Sequence, residues 1–321
     1  MINLYMTYGG TSWGWLPYPG VYSSYDYGAA IDEARQLTEK FAEQKLIATF
    51  IQSVPSLTKT QQIAPRPPTN PVLSLIGRAN PDDQTEIFLL SHADTTSTTT
   101  EQTHISVDLS ARTGTAPAKP GQYYGSVPQE PGKVITVNGR DAKLFLANYR
   151  FGKQQLVYST SQLMTNGAQN LTDFAVFYDN RGDDGETVLR YSSEPNAAVL
   201  EGNVRKNWDA SCGDLRLNYV HQGLTRVLIH SGNGDLLLLL ADTATAGELW
   251  QRVTKEGLVL VRGPYLVRAA ELRGNVLTLR GDTNAPTKLS VLFPPSIGEV
   301  RWIGSLNGPP ARHLSEETSC E

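Results

Sequence analysis

The stretch INLYMTYGGTSWGWLPYPGVYSSYDYGAAIDEA, residues 2–34, decides how the beginning of the chain is interpreted. Its apolar and aromatic start, Ile2 to Tyr8, is typical of a short buried strand, which Gly9-Gly10 closes. From Ala29 onward, apolar residues recur at the spacing of one helix face, namely Ile31, Ala34, Leu37 and Phe41. The pattern therefore predicts a strand, a loop and a helix, in that order.

The loop between this strand and helix has far more aromatic surface than a solvated connection normally carries. Its aromatic residues are Trp13, Trp15, Tyr18, Tyr22, Tyr25 and Tyr27. Such a loop usually covers or binds something. Asp26 is its one carboxylate, and we interpret it as a hydrogen-bond acceptor that orders the loop between two tyrosines.

Composition limits the class of protein. The 321 residues, 40% hydrophobic and 19% charged, are ordinary for a soluble globular protein of about two domains. The net charge of −4, without a basic cluster, argues against a nucleic-acid partner. The longest apolar run, LLLLLA at Leu236–Ala241, is too short for a membrane span, and Met1 is not followed by the features of a signal peptide.

A different architecture is predicted after the first helix. The proline-rich run SVPSLTKTQQIAPRPPTN, residues 53–70, is typical of a linker. In THISVDLS, Ile105, Val107 and Leu109 alternate with polar residues, as expected for a half-buried strand. Asn138-Gly139 between two β-rich runs is a strong signal for a hairpin. Similar runs recur to Asp242, so an antiparallel all-β region is predicted.

Several of these motifs resemble one family. NLYMTYGGTSWG and YSSYDYG resemble the end of the catalytic barrel in fungal and bacterial β-galactosidases of glycoside hydrolase family 35. SHADTTSTTT, GRDAKLFLANYRFG and LVYSTSQLMT resemble the large β domain that follows that barrel. VRGPYLVRAAELRGNVLTLRGDTNAPTKLSVL resembles the small β domain after it, so the resemblance covers nearly the whole chain.

The resemblance implies a mainly β protein: the C-terminal βα unit of a (β/α)8 barrel, a large antiparallel all-β domain and a small β-sandwich-like domain. The expected division is residues 1–53 for the incomplete barrel, 54–70 for a linker, 71–256 for the large domain and 257–321 for the small one, either complete or truncated. A whole barrel needs about 250 residues. The chain is therefore expected to be a fragment.

In this family a retaining exo-β-galactosidase uses two glutamates, and the resemblance places both upstream of Met1. No catalytic residue is therefore assigned, and the chain is expected to be inactive alone. The resemblance assigns galactose contact to Tyr27, the second tyrosine of YDYG. The alternative for Tyr27 is aromatic packing under the loop. Family members usually have Asn where this chain has Ser12, which affects the expected loop geometry.

Other motifs have structural interpretations. NRGDDGE, residues 180–186, is interpreted as a solvated turn, and the RGD at Arg280–Asp282 as a strand end. The histidines are scattered without ligand spacing, so neither a metal nor a cofactor is predicted. Asn170 in NLT is a glycosylation acceptor if the chain is secreted. Cys212 and Cys320 are expected to be unpaired thiols.

Three functions remain open. The chain is a fragment of an exo-β-galactosidase that acts on β-galactosides, a non-catalytic β-rich module that binds carbohydrate or serves packing, or the complement of a separately encoded barrel piece. The resemblance implies an extracellular protein, and neither nucleic acid nor membrane is expected as a partner.

Overall fold

The structure is a computed structural model and describes residues 4–12, 23–109, 122–169, 171–294 and 296–304. The chain divides into two compact units, Met1–Gln52 and Ser53–Glu321. None of the helices within the described ranges is long and apolar enough to cross a membrane.

The predicted first strand, Ile2 to Tyr8, is wrong for its described residues. Tyr5 and Met6 lie in a turn, and Tyr8 forms only an isolated parallel bridge with Ile31. A parallel strand needs neighbours along its whole length to satisfy its backbone groups. The described part of this unit provides single bridges instead, so the apolar run does not extend.

The predicted helix begins about ten residues later than its apolar spacing suggests. Helix α1 spans Glu39–Ser53, with the Thr38 carbonyl accepting from Phe41 N at 3.0 Å. Before it, the Asp32 carboxylate accepts from Gln36 N at 2.8 Å, and Arg35 has φ 67. A left-handed residue cannot continue an α-helix. The residues before Glu39 therefore form a loop.

Twenty-three strands form sheets within the described part of the second unit. Their bounds are β1 Gln61–Ile63, β2 Leu73–Ala79, β3 Glu86–His92, β4 Thr100–Thr103, β5 Ile105–Asp108, β6 Tyr123–Val127, β7 Ile135–Asn138, β8 Ala142–Phe151, β9 Gln154–Ser159, β10 Gln162–Gln169, β11 Thr172–Asp179, β12 Asp184–Arg190, β13 Asn196–Glu201, β14 Arg205–Asp209, β15 Asp214–Val220, β16 Leu224–Ser231, β17 Gly234–Asp242, β18 Leu249–Thr254, β19 Gly257–Arg262, β20 Leu266–Arg273, β21 Val276–Asp282, β22 Ser290–Phe293 and β23 Glu299–Gly304. A short helix, α2, spans Thr243–Gly247.

Two large sheets dominate. One has the order β1-β2-β3-β8-β9-β12-β15-β14, and the other β10-β11-β17-β16-β13. Two three-stranded sheets, β18-β19-β22 and β20-β21-β23, follow along the chain, and β4-β7 and β5-β6 form small pairs. Pairing is antiparallel except in β11–β17 and β21–β23. The mainly β fold predicted from the sequence is confirmed.

The predicted linker, residues 54–70, contains ordered structure. A 3₁₀ helix occupies Pro55–Lys59, and β1 pairs with β2 at the edge of the eight-stranded sheet. The Asn80 amide also donates to the Ser56 carbonyl at 2.7 Å. This segment therefore belongs to the second unit by pairing, although its later prolines keep it irregular.

The hairpin predicted at Asn138-Gly139 is wrong. Gly139 has φ 52, as a tight turn requires, but β7 pairs with β4 while β8 pairs with β3 and β9. The Gly139 N–H donates to the Thr99 carbonyl at 2.9 Å, which ties the turn to β4 instead of closing a ladder. The dipeptide specifies a turn, and the sheets decide its partners.

The core of the eight-stranded sheet is one apolar cluster shared with β5, β6 and β7. Its largest members are Phe88, Leu90, Tyr124, Phe145 and Tyr158. In the five-stranded sheet, β17 is buried from Leu236 to Asp242 between β11 and β16. The rings of Phe174 in β11 and Phe293 in β22 contact each other in a tilted arrangement with centroids 4.5 Å apart, which connects this sheet to a three-stranded one.

Candidate functional site

The candidate sugar-contacting loop in the first unit is built on two glycines. Gly9 N donates to the Ile31 carbonyl and Tyr25 N to the Gly10 carbonyl, both at 2.9 Å. A Cβ on Gly9 would lie 2.0 Å from Asp26 Oδ1, and one on Gly10 would lie 2.6 Å from the Tyr25 hydroxyl oxygen. Only glycine allows such close approach. The Gly-Gly pair and the Tyr-Asp pair therefore form one packed unit.

Tyr27 follows that packed pair and lies on the outside. It has φ 50 and is 70% exposed, and Gly28 continues the left-handed turn with φ 62. The turn is closed by Ala29 N, which donates to the Asp26 carbonyl at 3.0 Å. A tyrosine in the left-handed region carries backbone strain of about 1–3 kcal/mol, which the surrounding contacts must offset. The exposed side chain does not pack under the loop within the described residues.

Charged side chains brace the loop from the following segment. Arg35 Nη1 donates to the Gly9 carbonyl at 2.7 Å, and its guanidinium lies 5.2 Å from the centroid of the Tyr8 ring. The Thr11 hydroxyl donates to Glu33 Oε2 at 2.6 Å, and Lys40 Nζ donates to the Gly28 carbonyl. These contacts hold the loop at several points that are far apart in sequence.

The interpretation of Asp26 as a hydrogen-bond acceptor is wrong for its buried side-chain oxygen. Among the described residues Oδ1 has no hydrogen-bond partner, and it packs against Gly9, whereas the backbone carbonyl of Asp26 accepts from Ala29 N. A retaining glycosidase needs two carboxyl groups about 5–5.5 Å apart. In the described part of this loop Glu33 is bound by Thr11, so Asp26 and Glu33 serve loop structure.

Sequence analysis did not predict the buried polar groups of the second unit. NRGDDGE was expected to be a solvated turn, but Asp183 and Glu186 are buried. The Glu186 carboxylate accepts from Gln129 N at 2.7 Å, from Glu130 N at 3.1 Å and from the Tyr158 hydroxyl at 2.7 Å. These three donors balance the cost of burying the carboxylate.

Sequence analysis also did not predict the burial of Lys143. Its Nζ lies 2.7 Å from Asp179 Oδ1 and 2.6 Å from Asp183 Oδ2, all within the protein interior. The sequence contained a signal for this buried site, because every second residue of β8 lies on its buried face, namely Lys143, Phe145, Ala147 and Tyr149. A lysine on the apolar face of a strand implies a buried partner.

His221 occupies a closed polar site beside this cluster. Its Nδ1 lies 2.6 Å from the Ala241 carbonyl and its Nε2 lies 2.8 Å from Ser161 Oγ. Since a carbonyl can only accept, Nδ1 carries the proton and Nε2 accepts from the serine. Burial lowers the pKa of His221 to about 4, with the charge of Lys143 acting in the same direction. The ring is therefore held neutral.

The remaining sequence expectations have varied outcomes. Cys212 is a free thiol, and burial raises its pKa to about 11. Arg280–Asp282 ends β21, as expected. Asn170, Cys320, and the loop aromatics Trp13, Trp15, Tyr18 and Tyr22 lie outside the described residues. Where residues are described, no group of three or more His, Cys, Asp or Glu could hold a metal ion.

Comparison with known families accounts for nearly the whole chain. The family model "Beta-galactosidase, domain 2" matches residues 57–248, which include both large sheets. The chain belongs to the β-galactosidases of glycosyl hydrolase family 35. The model "Glycosyl hydrolases family 35" matches residues 1–51, and "Beta-galactosidase, domain 3" matches residues 240–312.

Similar proteins from fungi agree with this membership. The chain is 31% identical to a probable beta-galactosidase B of Aspergillus terreus over 313 residues, covering 94% of this chain and 29% of that protein. It is 29% identical to one of Sclerotinia sclerotiorum over 345 residues, covering 99% of this chain and 33% of the relative. Another of Emericella nidulans is 31% identical over 312 residues, with 94% and 29% covered. The chain thus spans about a third of the length of the curated relatives that it matches.

Proposed function

We propose that this chain is part of a retaining exo-β-galactosidase that removes terminal non-reducing β-D-galactose. The observation that carries the proposal is the order of the matches: the family 35 model, domain 2 and domain 3 follow one another along residues 1–312. The proposed division keeps residues 1–53 as the end of the barrel, 71–256 as the large β domain and 257–321 as the small one.

The proposed role of the described loop is sugar contact. Tyr27 presents its hydroxyl on the outside of a turn that Gly9, Gly28 and Arg35 hold in place. One hydroxyl contributes about 0.5–1.5 kcal/mol net to binding. In this proposal the two catalytic carboxyl groups lie outside this chain, so this chain orients the sugar and does not carry out the bond cleavage.

Activity measurements test this division. The purified chain is expected not to hydrolyse a chromogenic β-galactoside above buffer, because removing both carboxyl groups forfeits most of a rate factor of about a million or more. A longer chain that includes the upstream coding sequence is expected to turn the substrate over. Robust turnover by the 321-residue chain alone would contradict the proposal.

Tyr27→Phe in the longer, active chain tests the assigned contact. Loss of one hydroxyl is expected to lower kcat/KM by roughly 2–10-fold. Tyr123→Phe is the matched control, since Tyr123 loses the same group but bonds Arg66 in the second unit at 2.9 Å. Equal losses in both variants would remove Tyr27 from the substrate site.

A partner is required only in the alternative in which a separately encoded barrel piece supplies the two carboxyl groups, and co-purification from the source cells tests for it. An extracellular location would make Asn170 accessible for glycosylation, which mass spectrometry of the secreted protein measures.

A non-catalytic carbohydrate-binding role is the second candidate. The observation that favours it is an open pocket on the second unit, between the turns at Gly152-Lys153 and Gly232-Asn233, with Arg150 and Gln155 also lining it. Amide and cationic groups of this kind can bind saccharide hydroxyl or acid groups. A glycan array probed with the whole chain and with Lys153→Gln tests it, and no glycan bound would exclude it.

A further inference from the structure

Lys143 is the starting point, because it is the most buried cation of the described chain. Its side chain is 2% exposed, in the second position of β8. Lysine is rarely buried, because taking the ammonium group out of water is costly unless partners balance it. Both partners here are carboxylates, so the site holds two acidic groups for one ammonium group.

The two carboxylates reach Lys143 from one short segment. Asp179 is the last residue of β11 and Asp183 precedes β12, and their oxygens lie 2.7 and 2.6 Å from Lys143 Nζ. The side chain of Asp179 is 2% exposed and that of Asp183 is 11% exposed. Because β8 and β11 belong to different large sheets, the cluster joins the two sheets.

The cluster has one negative charge in excess inside the protein. Burial raises the pKa of Asp179 to about 6, even though Lys143 and the Asn180 N–H oppose that shift. A fraction of Asp179 is therefore protonated near neutral pH. A protonated carboxyl group, a lysine nitrogen and a second carboxylate then meet at one largely buried place.

We propose that Lys143 and Asp179 condense to an intramolecular amide, with Asp183 carrying the proton. Asp183 takes a proton from the Lys143 ammonium, and the free electron pair of Nζ attacks Cγ of protonated Asp179. The C–N bond forms, the C–OH bond breaks, and the second Nζ proton and the carboxyl hydroxyl leave as one water molecule. Asp183 keeps the proton that it took from Nζ, so atoms and charges balance without an oxidant or cofactor.

The interior favours this product for two reasons. Condensation replaces the buried ammonium of Lys143 and the buried carboxylate of Asp183 by a neutral amide and a protonated carboxyl group, which lowers the cost of keeping charges away from water. The expelled water leaves a buried site, and its loss to solvent disfavours hydrolysis. The bond connects residues 36 apart in sequence, so it also restricts the unfolded chain as a disulfide does.

The chain contains a matched control. Lys133 Nζ lies 2.7 Å from Asp184 Oδ1, the same distance as in the Lys143–Asp179 pair, but its side chain is 37% exposed. This pair has access to water, and among the described residues no second carboxylate forms a salt bridge with Lys133. It should remain an ordinary ion pair.

Mass spectrometry of the denatured full chain tests the proposal. The wild-type chain is expected to be lighter than its sequence mass by one water, and a digest is expected to contain one branched peptide that joins Lys143 to Asp179. Lys143→Arg and Asp183→Asn should have their full sequence masses, while Lys133→Arg should keep the deficit.

Each other result overturns a defined part. A wild-type chain at its full mass, with no branched peptide, would leave Lys143, Asp179 and Asp183 as an ion cluster only. A deficit located at Lys133 and Asp184 would exclude burial as the cause. A deficit retained in Asp183→Asn would remove Asp183 as the proton carrier. Because masses are measured on denatured chains, the wild-type mass can be read whether or not a variant folds well. The proposal requires the deficit in the wild type in every case.

Discussion

The two compact units of the chain differ in where their backbone hydrogen bonds go. In the first unit, the described residues before α1 meet through isolated bridges such as Tyr8–Ile31 and Thr11–Ser24. In the second unit, ladders of up to eight residue pairs join strands such as β11 and β17. Strand-like sequence is present in both. The difference shows that such a sequence becomes a strand only when a partner strand with matching register is available in the chain.

The largest expected effect lies in the second unit, at its buried charges. Lys143→Met should lower the free energy of unfolding by about 3–5 kcal/mol, because it leaves Asp179 and Asp183 buried without their cation. Urea denaturation followed by circular dichroism measures it. Lys133→Met, at a half-exposed ion pair, should cost about 0–1 kcal/mol. Equal losses of unfolding free energy in the two variants would show that a carboxylate without its cation is no less stable in the interior of this unit than at its surface.

The second prediction concerns acid, through His221. The folded protein lowers the pKa of His221 from 6.5 to about 4, so only the unfolded chain takes up this proton between those values. The stability that His221 contributes is therefore complete above pH 6.5 and is lost as the pH falls toward 4. The loss amounts to about 3 kcal/mol.

In chains whose Asp179 is not condensed with Lys143, Asp179 acts in the opposite direction in an overlapping range. Its folded pKa is raised from 3.8 to about 6, so the protein gains stability from this group as the pH falls from 6 toward 3.8. The opposite contributions of these two groups can cancel in the wild-type profile of stability against pH. Comparing the wild type with His221→Gln at each pH isolates the histidine.

The stability of wild type minus that of His221→Gln should fall by about 3 kcal/mol from pH 7 to pH 4, measured by urea denaturation. Lys143, Asp242 and Tyr219 face the ring and remain in both proteins. His230→Gln, at a half-exposed pair with Asp235, is the matched control variant. Parallel profiles for wild type and His221→Gln would contradict a neutral buried histidine.

A third prediction compares matched glycines in the two units. A Cβ on Gly185 would lie 2.1 Å from the Tyr219 ring, and one on Gly9 would lie 2.0 Å from Asp26 Oδ1. Gly185→Ala should destabilise the second unit by about 1–3 kcal/mol because of overpacking. Gly9→Ala should change the free energy of unfolding of the second unit by less than about 0.5 kcal/mol, since the atoms that its Cβ would meet belong to Asp26 of the first unit.

Hydrogen exchange resolved by mass spectrometry separates the two glycine effects, because it reports each segment on its own. Faster exchange in β17 is expected for Gly185→Ala and not for Gly9→Ala. Loss of protection in β17 from Gly9→Ala would show that the two units unfold as one.

The smallest expected effect is galactose binding by the chain alone. A millimolar complex requires about 4 kcal/mol, and the Tyr27 hydroxyl with ring stacking supplies a fraction of that. Titration with galactose should leave the tryptophan fluorescence of wild type and of Tyr27→Phe unchanged. A saturable change at submillimolar sugar would favour the carbohydrate-binding role and contradict the fragment hypothesis.

Sequence patterns predicted the character of individual strands well. Ile105 and Val107 are buried while Ser106 and Asp108 are partly exposed, as their alternation indicates. Leu236–Ala241 lies within the buried strand β17. These predictions depend only on which side chains of one strand face water. A local sequence pattern describes that.

Partners could not be predicted in the same way. Asn138-Gly139 forms a turn, but β7 and β8 join different neighbours. Asp179 and Asp183 find their cation 36 and 40 residues away along the chain. Nothing local distinguishes these carboxylates from a solvated turn, since the burial arises from sheets formed elsewhere. Tyr27 was found through its motif, and its role in binding stays a prediction.

The parallel pairing of β11 with β17 has a consequence for how the protein is made. Thr172 pairs with Asp235, so the inner edge of β11 must wait until the ribosome has added more than sixty further residues. During that interval the β10–β11 hairpin presents an unpaired apolar edge, Phe174 to Phe177, to anything nearby. The five-stranded sheet is therefore the part of the molecule with most need of a chaperone during synthesis.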